Sequence, residues 1–345
     1  MADSVPISVQ PTRRRFVHLL SAITLTVVGL LTLLAIVGVS YQAMEVRVDA
    51  RRFPQIGRSV DVGGYNLNIN CTGQGKPTVI LESALGVSAI GWQSVQPEIA
   101  KFTHVCSYDR AGYGWSDPGP LPRTSTEIAK ALHLLLQASG EQPPYVLVGH
   151  SFGGADVRVF SGLYPNEVAG MVLAETGLEN LKFPPSIQKL IDENLEQRER
   201  ERALAYVRFW FGISRFTIRK QIGNPAVAYD DQRDAYFGIQ PKFIEATTSE
   251  VRSSKEDAED LKVLKTLADK PLIVLSAGKD MLGMPLDTKD WRDLHDVWIN
   301  DVQTSLVHLS SRGKQVMVPD SGHMIPFERP EAIISAVREV CAAAH

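Results

Sequence analysis

The sequence predicts an α/β domain with a mostly parallel eight-stranded sheet, helices on both faces, and one transmembrane helix before it. Three observations support this: an uncharged apolar run near the N-terminus, short β-branched runs that alternate with helical patterns, and a G-x-S-x-G motif between a strand and a helix. Of the 345 residues, 44% are hydrophobic and 22% are charged. This composition is typical of a globular protein and excludes disorder as the dominant state.

The charge and cysteine content exclude several classes of protein. The chain has 36 Lys+Arg against 39 Asp+Glu, so there is no positive excess to neutralise phosphates and no nucleic-acid partner is expected. Cys71, Cys106 and Cys341 are too few for a disulfide framework and lack the C-x₂-C spacing of zinc sites. The metalloprotease, Walker and dinucleotide motifs do not occur, so we expect neither a metal nor an organic cofactor. Nothing in the sequence indicates an oligomeric state.

The uncharged run covers residues 16–39 and predicts a membrane anchor at 16–40. As a helix it would span about 36 Å, enough to cross a hydrocarbon core of about 30 Å. A buried core helix, the alternative, rarely runs this long without a polar face. The lipid bilayer is therefore an expected partner, with a basic tail at 1–15 and a linker at 41–57.

The flanking charges predict the orientation of this anchor. Three arginines directly precede the run, whereas those that follow are farther away and mixed with acids, which favours a cytoplasmic N-terminus and an extracytoplasmic body. The arginines also resemble a twin-arginine export signal, but a cleaved signal would have a shorter apolar core, so an uncleaved single-pass anchor is favoured. The groups are Arg13, Arg14 and Arg15 before the run, and Arg47, Arg51 and Arg52 with Glu45 and Asp49 after it.

The body alternates strands with helices. The first two strands are joined at Gly63-Gly64, which indicates an antiparallel hairpin, and the later ones are continuous apolar runs typical of a buried parallel sheet. Helices are predicted at 125–138, which begins with a serine cap, and at 152–163. The predicted strands are 59–62, 65–70, 78–82, 104–109, 145–150, 170–175, 271–277 and 315–318.

An insertion at about 178–268 interrupts this alternation, because a crossover between parallel strands needs only a dozen or more residues. Its part at 186–220 has a charged, helical pattern with clustered aromatic residues. These aromatics either hold the insertion against the body or form the apolar underside of a helical lid over a pocket. They are Tyr206, Phe209, Trp210, Phe211 and Phe216.

The motif Gly149-His150-Ser151-Phe152-Gly153 predicts a nucleophile elbow, since it directly follows an apolar strand and precedes a helix. In such a turn the serine hydroxyl projects from the sheet, and the flanking glycines avoid a clash between neighbouring backbones. Ser151 is therefore the predicted nucleophile.

A serine nucleophile needs a base and a group that orients the base. His323 follows the last predicted strand, where it can reach across strand ends to Ser151, and is the predicted base. Asp280, after the seventh strand, is the first choice for the acid because it preserves the order Ser, Asp, His. Glu175, at the end of the sixth strand, is the alternative. Asp287 and Asp290 in the same loop as Asp280 remain open.

From about residue 58 to its end, the chain resembles the α/β-hydrolase fold superfamily, and within it the esterase, lipase and proline-iminopeptidase-like branch. The resemblance rests on the elbow at 149–154, on Tyr108-Asp109-Arg110-Ala111-Gly112-Tyr113-Gly114-Trp115-Ser116, and on Ser321-Gly322-His323 followed by Pro330-Glu331. It implies an oxyanion hole formed by the backbone N–H groups of Leu85 and Phe152. The family's acid motif is commonly one residue longer than Gly278-Lys279-Asp280, which keeps Glu175 open.

Together these features predict a membrane-anchored serine hydrolase that cleaves small apolar carboxylic esters. Other reactions of the same fold remain alternatives, namely those of an aminopeptidase, a lactonase, a C–C hydrolase or a cofactor-free haloperoxidase. An aminopeptidase would need carboxylates in the lid to bind an amine, and Glu193, Glu196, Glu199 and Glu201 are candidates, although a solvated helical face explains them more simply. A non-catalytic tethered binding protein is the alternative from a different class.

Overall fold

The computed structural model describes residues 11–177, 181–281, 284–285 and 288–344. The described chain forms two compact units. The anchor unit contains the residues up to Pro54 together with Leu204–Ile239, and the sheet unit contains Gln55–Ala203 and the residues from Gln240 onward. The boundary at Leu204 falls inside a long helix of the predicted insertion.

The anchor unit is built around helix α1, which runs from Pro11 to Arg52. Over residues 16–39 its side chains are almost all exposed, and its most apolar window has a mean hydropathy of 2.5. By length and composition, α1 is therefore able to cross a membrane. The helix does not stop at residue 40, so most of the predicted linker is helical.

Tertiary contacts explain why the predicted linker is helical. The buried guanidinium of Arg215 forms an ion pair with Asp49, and its Nε donates to Gln42 Oε1 at 3.0 Å. The hydroxyl of Tyr229 donates to the carbonyl oxygen of Arg52 at 2.7 Å. Such contacts extend a helix beyond the point where local preference alone would end it.

Eight strands of the sheet unit form one sheet, in the order β1-β2-β4-β3-β5-β6-β7-β10. β1 pairs antiparallel with β2 and β2 with β4, whereas all other pairs are parallel. The predicted mostly parallel sheet with an antiparallel start is confirmed. The strands are β1 Arg58–Asp61, β2 Asn66–Thr72, β3 Thr78–Glu82, β4 Val105–Tyr108, β5 Tyr145–His150, β6 Val168–Ala174, β7 Leu272–Ala277 and β10 Gly313–Val318, while the two-residue strands β8 Asp280–Met281 and β9 Met284–Pro285 pair separately.

Both faces of the sheet are covered, as the continuous apolar strands predict. On one face, Leu147 of β5 belongs to a core that includes Leu132 and Phe160 from two helices. On the other face, Val148 belongs to a core that includes Val337 of the last helix. Because neighbouring strand residues point to opposite faces, each central strand contributes to both cores.

Helices of the sheet unit connect and flank the strands. The helix after β5 begins directly after Ser151 and has the bounds predicted from the sequence. The helices are α2 Gln96–Ile99, α3 Ser125–Ser139, α4 Phe152–Leu163, α5 Pro185–Trp210, α6 Arg215–Ile218, α7 Tyr229–Gly238, α8 Pro241–Arg252, α9 Ser254–Asp260, α10 Lys289–Val297, α11 Thr304–Val307, α12 Ile325–Glu328 and α13 Pro330–Ala343, of which α6, α7 and the end of α5 belong to the anchor unit.

A disulfide joins Cys71 of β2 to Cys106 of β4. The two residues are directly opposite each other in the antiparallel register, with their Cα atoms 4.1 Å apart. From the sequence we expected no disulfide framework, and we did not predict this single disulfide. Their separation of 35 residues becomes a contact only through the strand pairing, which the spacing does not reveal.

Candidate active site

The nucleophile candidate Ser151 occupies a strained turn between β5 and α4. Its φ of 53° and ψ of −119° are unusual for a residue with a Cβ. Two glycines allow the turn to close: a Cβ on Gly149 would lie 2.6 Å from the Cα of Gly154, and a Cβ on Gly153 would lie 2.5 Å from the carbonyl oxygen of Ser83. The sequence motif thus forms the sharp strand-to-helix turn that it predicts.

His323, in the loop after β10, contacts this serine. Its Nε2 is 2.9 Å from Ser151 Oγ, and the residue is 8% exposed. Nδ1 of the same ring lies 3.3 Å from Glu175 Oε2. In the tautomer with Nδ1 protonated and donating to the carboxylate, Nε2 can accept the proton of the serine hydroxyl.

Glu175 directly follows β6 and is fully buried. Its carboxylate accepts hydrogen bonds from the backbone N–H of Ala277 at 2.7 Å and from Trp298 Nε1 at 3.2 Å. Because buried polar groups need partners, these bonds fix the carboxylate in the orientation that faces His323. The φ of Glu175 is 51°, a second strained backbone at this site.

The other acid candidates are placed differently. The backbone of Asp280 forms part of β8, but its side chain lies outside what the structure describes, as does the whole of Asp287. Asp290 is exposed and accepts a hydrogen bond from Ser186 Oγ at 2.5 Å. Among the described carboxylates, that of Glu175 contacts Nδ1 of His323.

The proposed oxyanion donors lie on elements that meet at the elbow. Phe152 is the first residue of α4, where backbone N–H groups have no acceptor within the helix. Leu85 lies in the turn after β3, two residues beyond Ser83, whose carbonyl oxygen approaches the backbone of Gly153. The start of α4 therefore packs against the segment that carries Leu85.

A buried arginine supports that segment. Arg110 donates to the carbonyl oxygens of Ser83 at 2.6 Å and Ala84 at 3.0 Å. It also pairs with Glu82 at 2.8 Å and Glu250 at 3.0 Å. Although burial disfavours its charged form, the surrounding carboxylates, Glu250 first, hold the pKa of Arg110 well above its usual range. The ion pairs hold the guanidinium in place, and its hydrogen bonds to the two carbonyl oxygens fix the backbone just before Leu85.

His150 holds the loop that contains His323, the predicted base. Its Nε2 donates to the carbonyl oxygen of His323 at 2.8 Å. Burial, reinforced by the nearby His323, lowers the pKa of His150 to about 3. The imidazole is therefore neutral near pH 7 and serves as a hydrogen-bond donor to the loop.

Sequence reasoning missed three contributors to this site: Arg110, His150 and Trp298. Arg110 lies in the 108–116 segment on which the family resemblance rests, and His150 adjoins Ser151, so a local signal existed for both. Trp298 lies 123 positions from Glu175, and only the folded chain brings the two together.

One group of potential metal ligands occurs among the described residues. Atoms of Cys71, His104, Cys106 and Glu141 lie within 4.8 Å of one another. The two sulfurs are bonded to each other, so neither is available as the thiolate that zinc prefers. Cys71 lies on β2 and Cys106 on β4, while His104 directly precedes β4 and Glu141 lies between α3 and β5.

Comparisons with known proteins agree with this architecture. The family model for the alpha/beta hydrolase fold matches residues 77–330. The chain is 25% identical over 315 residues to a probable transporter, efuK, of Hormonema carpetanum, covering 81% of this chain but only 42% of efuK. It is also 26% identical over 266 residues to the uncharacterized protein YbdG of Bacillus subtilis, covering 73% and 79% of the two chains.

Among solved structures, a thermophilic esterase from Thermogutta terrifontis is similar, with a TM-score of 0.60 and 22% identity. The match covers 84% of this chain and 98% of the esterase, and it is a likeness of fold. The family match covers well over half of the chain and includes both Ser151 and His323. The chain therefore belongs to the alpha/beta hydrolase family.

Proposed function

We propose that this protein is a membrane-anchored serine hydrolase that cleaves carboxylic esters with small apolar groups. The observation that carries the proposal is the 2.9 Å contact between Ser151 Oγ and His323 Nε2 at a strained turn. A serine and a histidine in this geometry form the nucleophile and base of acyl-transfer enzymes.

In the first half of the proposed reaction, Ser151 Oγ attacks the acyl carbon while His323 Nε2 takes the hydroxyl proton. The carbonyl oxygen becomes an oxyanion and accepts hydrogen bonds from the N–H groups of Leu85 and Phe152, each worth about 3–4 kcal/mol in comparable enzymes. His323 then gives its proton to the leaving alkoxide, and the alcohol departs from the acyl-enzyme.

In the second half, water attacks the acyl-enzyme and His323 takes the proton of that water. Collapse of the second tetrahedral intermediate releases the carboxylic acid and returns the proton to Ser151. The carboxylate of Glu175 stabilises the imidazolium that forms in each half. We therefore propose Glu175 as the acid of the triad, with Asp280 as its rival.

The charges on α5 favour esters over peptides with free N-termini. An aminopeptidase would need carboxylates available to bind the amine of its substrate, but three of the four candidates on α5 have basic partners, and Glu201 accepts a hydrogen bond from Gln197 Nε2 at 3.0 Å. Glu193 lies 3.8 Å from Lys189, Glu196 lies 3.8 Å from Arg200, and Glu199 lies 3.0 Å from Arg202. These pairs support a solvated helix face.

We place the sheet unit outside the cytoplasm, tethered by α1. The length and composition of α1 support the tether, and the arginines before it support the orientation. The disulfide between Cys71 and Cys106 adds independent support, because disulfides persist in oxidising compartments and are rare in the cytosol.

The test is labelling of the full-length protein with a fluorophosphonate probe, alongside turnover of p-nitrophenyl esters. Ser151→Ala removes the only proposed nucleophile, so we expect both labelling and turnover to be lost. Ser94→Ala changes an exposed serine and should retain both. Undiminished labelling of Ser151→Ala would show that another residue is the nucleophile. Faster turnover of aminoacyl nitroanilides than of esters would show that the substrate class is wrong.

A further inference from the structure

The C-terminal end of α5 has an apolar face that is exposed. Ala205 and Phe209 are only 3% and 8% exposed and form its buried face. Tyr206, Val207 and Trp210 are each 51% exposed and point away from that face. At 100° per residue these three share one side of the helix, where a water-exposed helix would carry polar residues.

The residues that follow α5 continue this apolar surface. Phe211, Ile213 and Phe216 are 40%, 48% and 66% exposed. Together, residues 206–216 form what we call the apolar segment. From position 203 to 229 the sequence has no acidic residue. Basic side chains are exposed there, among them Arg208 within the segment and Lys220 after it. Exposed aromatic and aliphatic side chains flanked by basic ones are typical of a membrane surface.

The contacts of this segment with α1 fix its depth. A Cβ on Gly38 would lie 2.6 Å from the carbonyl oxygen of Phe211, and one on Gly212 would lie 3.2 Å from the Tyr41 ring. Both backbones therefore touch within the anchor unit. Gly38 lies one residue before the end of the apolar run at 16–39, which is the level at which a spanning α1 leaves the hydrocarbon core.

We propose that the apolar segment lies in the interface of the same bilayer that α1 crosses, with Trp210 and Phe216 inserted among the headgroups and upper acyl chains. The inference rests on the proposed membrane anchor. α1 positions the segment at the interface, Trp and Tyr favour that layer, and basic side chains on either side match the charge of lipid phosphates. The segment thus adds a second membrane contact to the transmembrane helix.

The experiment uses the full chain in phospholipid nanodiscs, with tryptophan emission quenched by lipids brominated either near the headgroup or near the bilayer centre. We expect stronger quenching by the shallow bromines. Trp210→Phe should remove the greater part of the quenched emission. Trp291→Phe, which changes a tryptophan of the sheet unit, should leave the quenching largely intact.

Two failures are distinguishable. If the chain does not co-elute with nanodiscs, or is released from membranes at alkaline pH, both the anchor and the interfacial contact are wrong. If the chain is retained but wild type and Trp210→Phe are quenched equally, the anchor stands and the interfacial contact is overturned. Ester turnover in detergent is measured separately, so neither result depends on the catalytic proposal.

Discussion

The backbone of Ser151, the proposed nucleophile, is strained. Its backbone, at φ 53° and ψ −119°, lies in a region where a side chain costs about 1–3 kcal/mol and glycine costs little. The turn persists because β5, α4 and the close contact of Gly153 with Ser83 hold it on both sides. Strain here places the hydroxyl within reach of His323.

This strain gives a stability prediction. Ser151→Gly should raise the free energy of unfolding by about 1 kcal/mol relative to Ser151→Ala, because only glycine relieves the backbone. Both variants lack the hydroxyl, so the comparison isolates the backbone effect. Denaturant unfolding of the two full-length variants in the same detergent measures the difference. Equal stabilities, or a less stable glycine variant, would contradict the strain.

The assignment of the acid gives a second prediction at this scale. Glu175→Gln keeps the shape of the side chain but removes the charge that stabilises the imidazolium, so kcat should fall on the order of 10⁴-fold. Asp280→Asn should change kcat far less. Steady-state hydrolysis of one p-nitrophenyl ester by both variants makes the comparison. The reverse ranking would make Asp280 the acid.

Strands and helices were more predictable than the contacts between them. The bounds of β3, β5 and α4 agree with the sequence patterns because apolar runs, glycines and capping signals are local. The helix at 41–52 was not foreseen, since its stability comes from Arg215, far away in the sequence. The order of the motifs favoured Asp280, whereas the described carboxylate beside His323 is that of Glu175, a proximity that arises only in the folded chain.

The loop after β3 depends on an ion cluster, which gives a prediction about elements. Arg110→Met would leave Glu82 and Glu250 buried without their cation, at a cost of about 3–5 kcal/mol in stability. The matched control is Lys101→Met, which breaks an exposed pair with Glu98 and should cost at most about 1 kcal/mol. Urea unfolding of both variants tests this, and similar losses would show that the cluster contributes no more than a surface pair.

For the whole molecule, the cysteines report which side of the membrane the sheet unit occupies. If it is exported, Cys71 and Cys106 are bonded and only Cys341 reacts with a maleimide after denaturation without reductant. We therefore expect one adduct before reduction and three after it, read as gel shifts from freshly acid-quenched cells. Cys71→Ser should give two adducts in both conditions. Three adducts in wild type without reduction would indicate a cytoplasmic sheet unit.

The position of Glu175 after β6 affects which loops of the sheet unit can vary in sequence. The proposed nucleophile, acid and base follow β5, β6 and β10, and the described contribution of the end of β7 is the backbone N–H of Ala277, which donates to Glu175. Every residue except proline has a backbone N–H, so this hydrogen bond does not depend on which side chain stands at position 277. With Glu175 as the acid, no catalytic side chain would be needed from the stretch after Ala277, so substitutions there should affect ester hydrolysis less than substitution of Glu175.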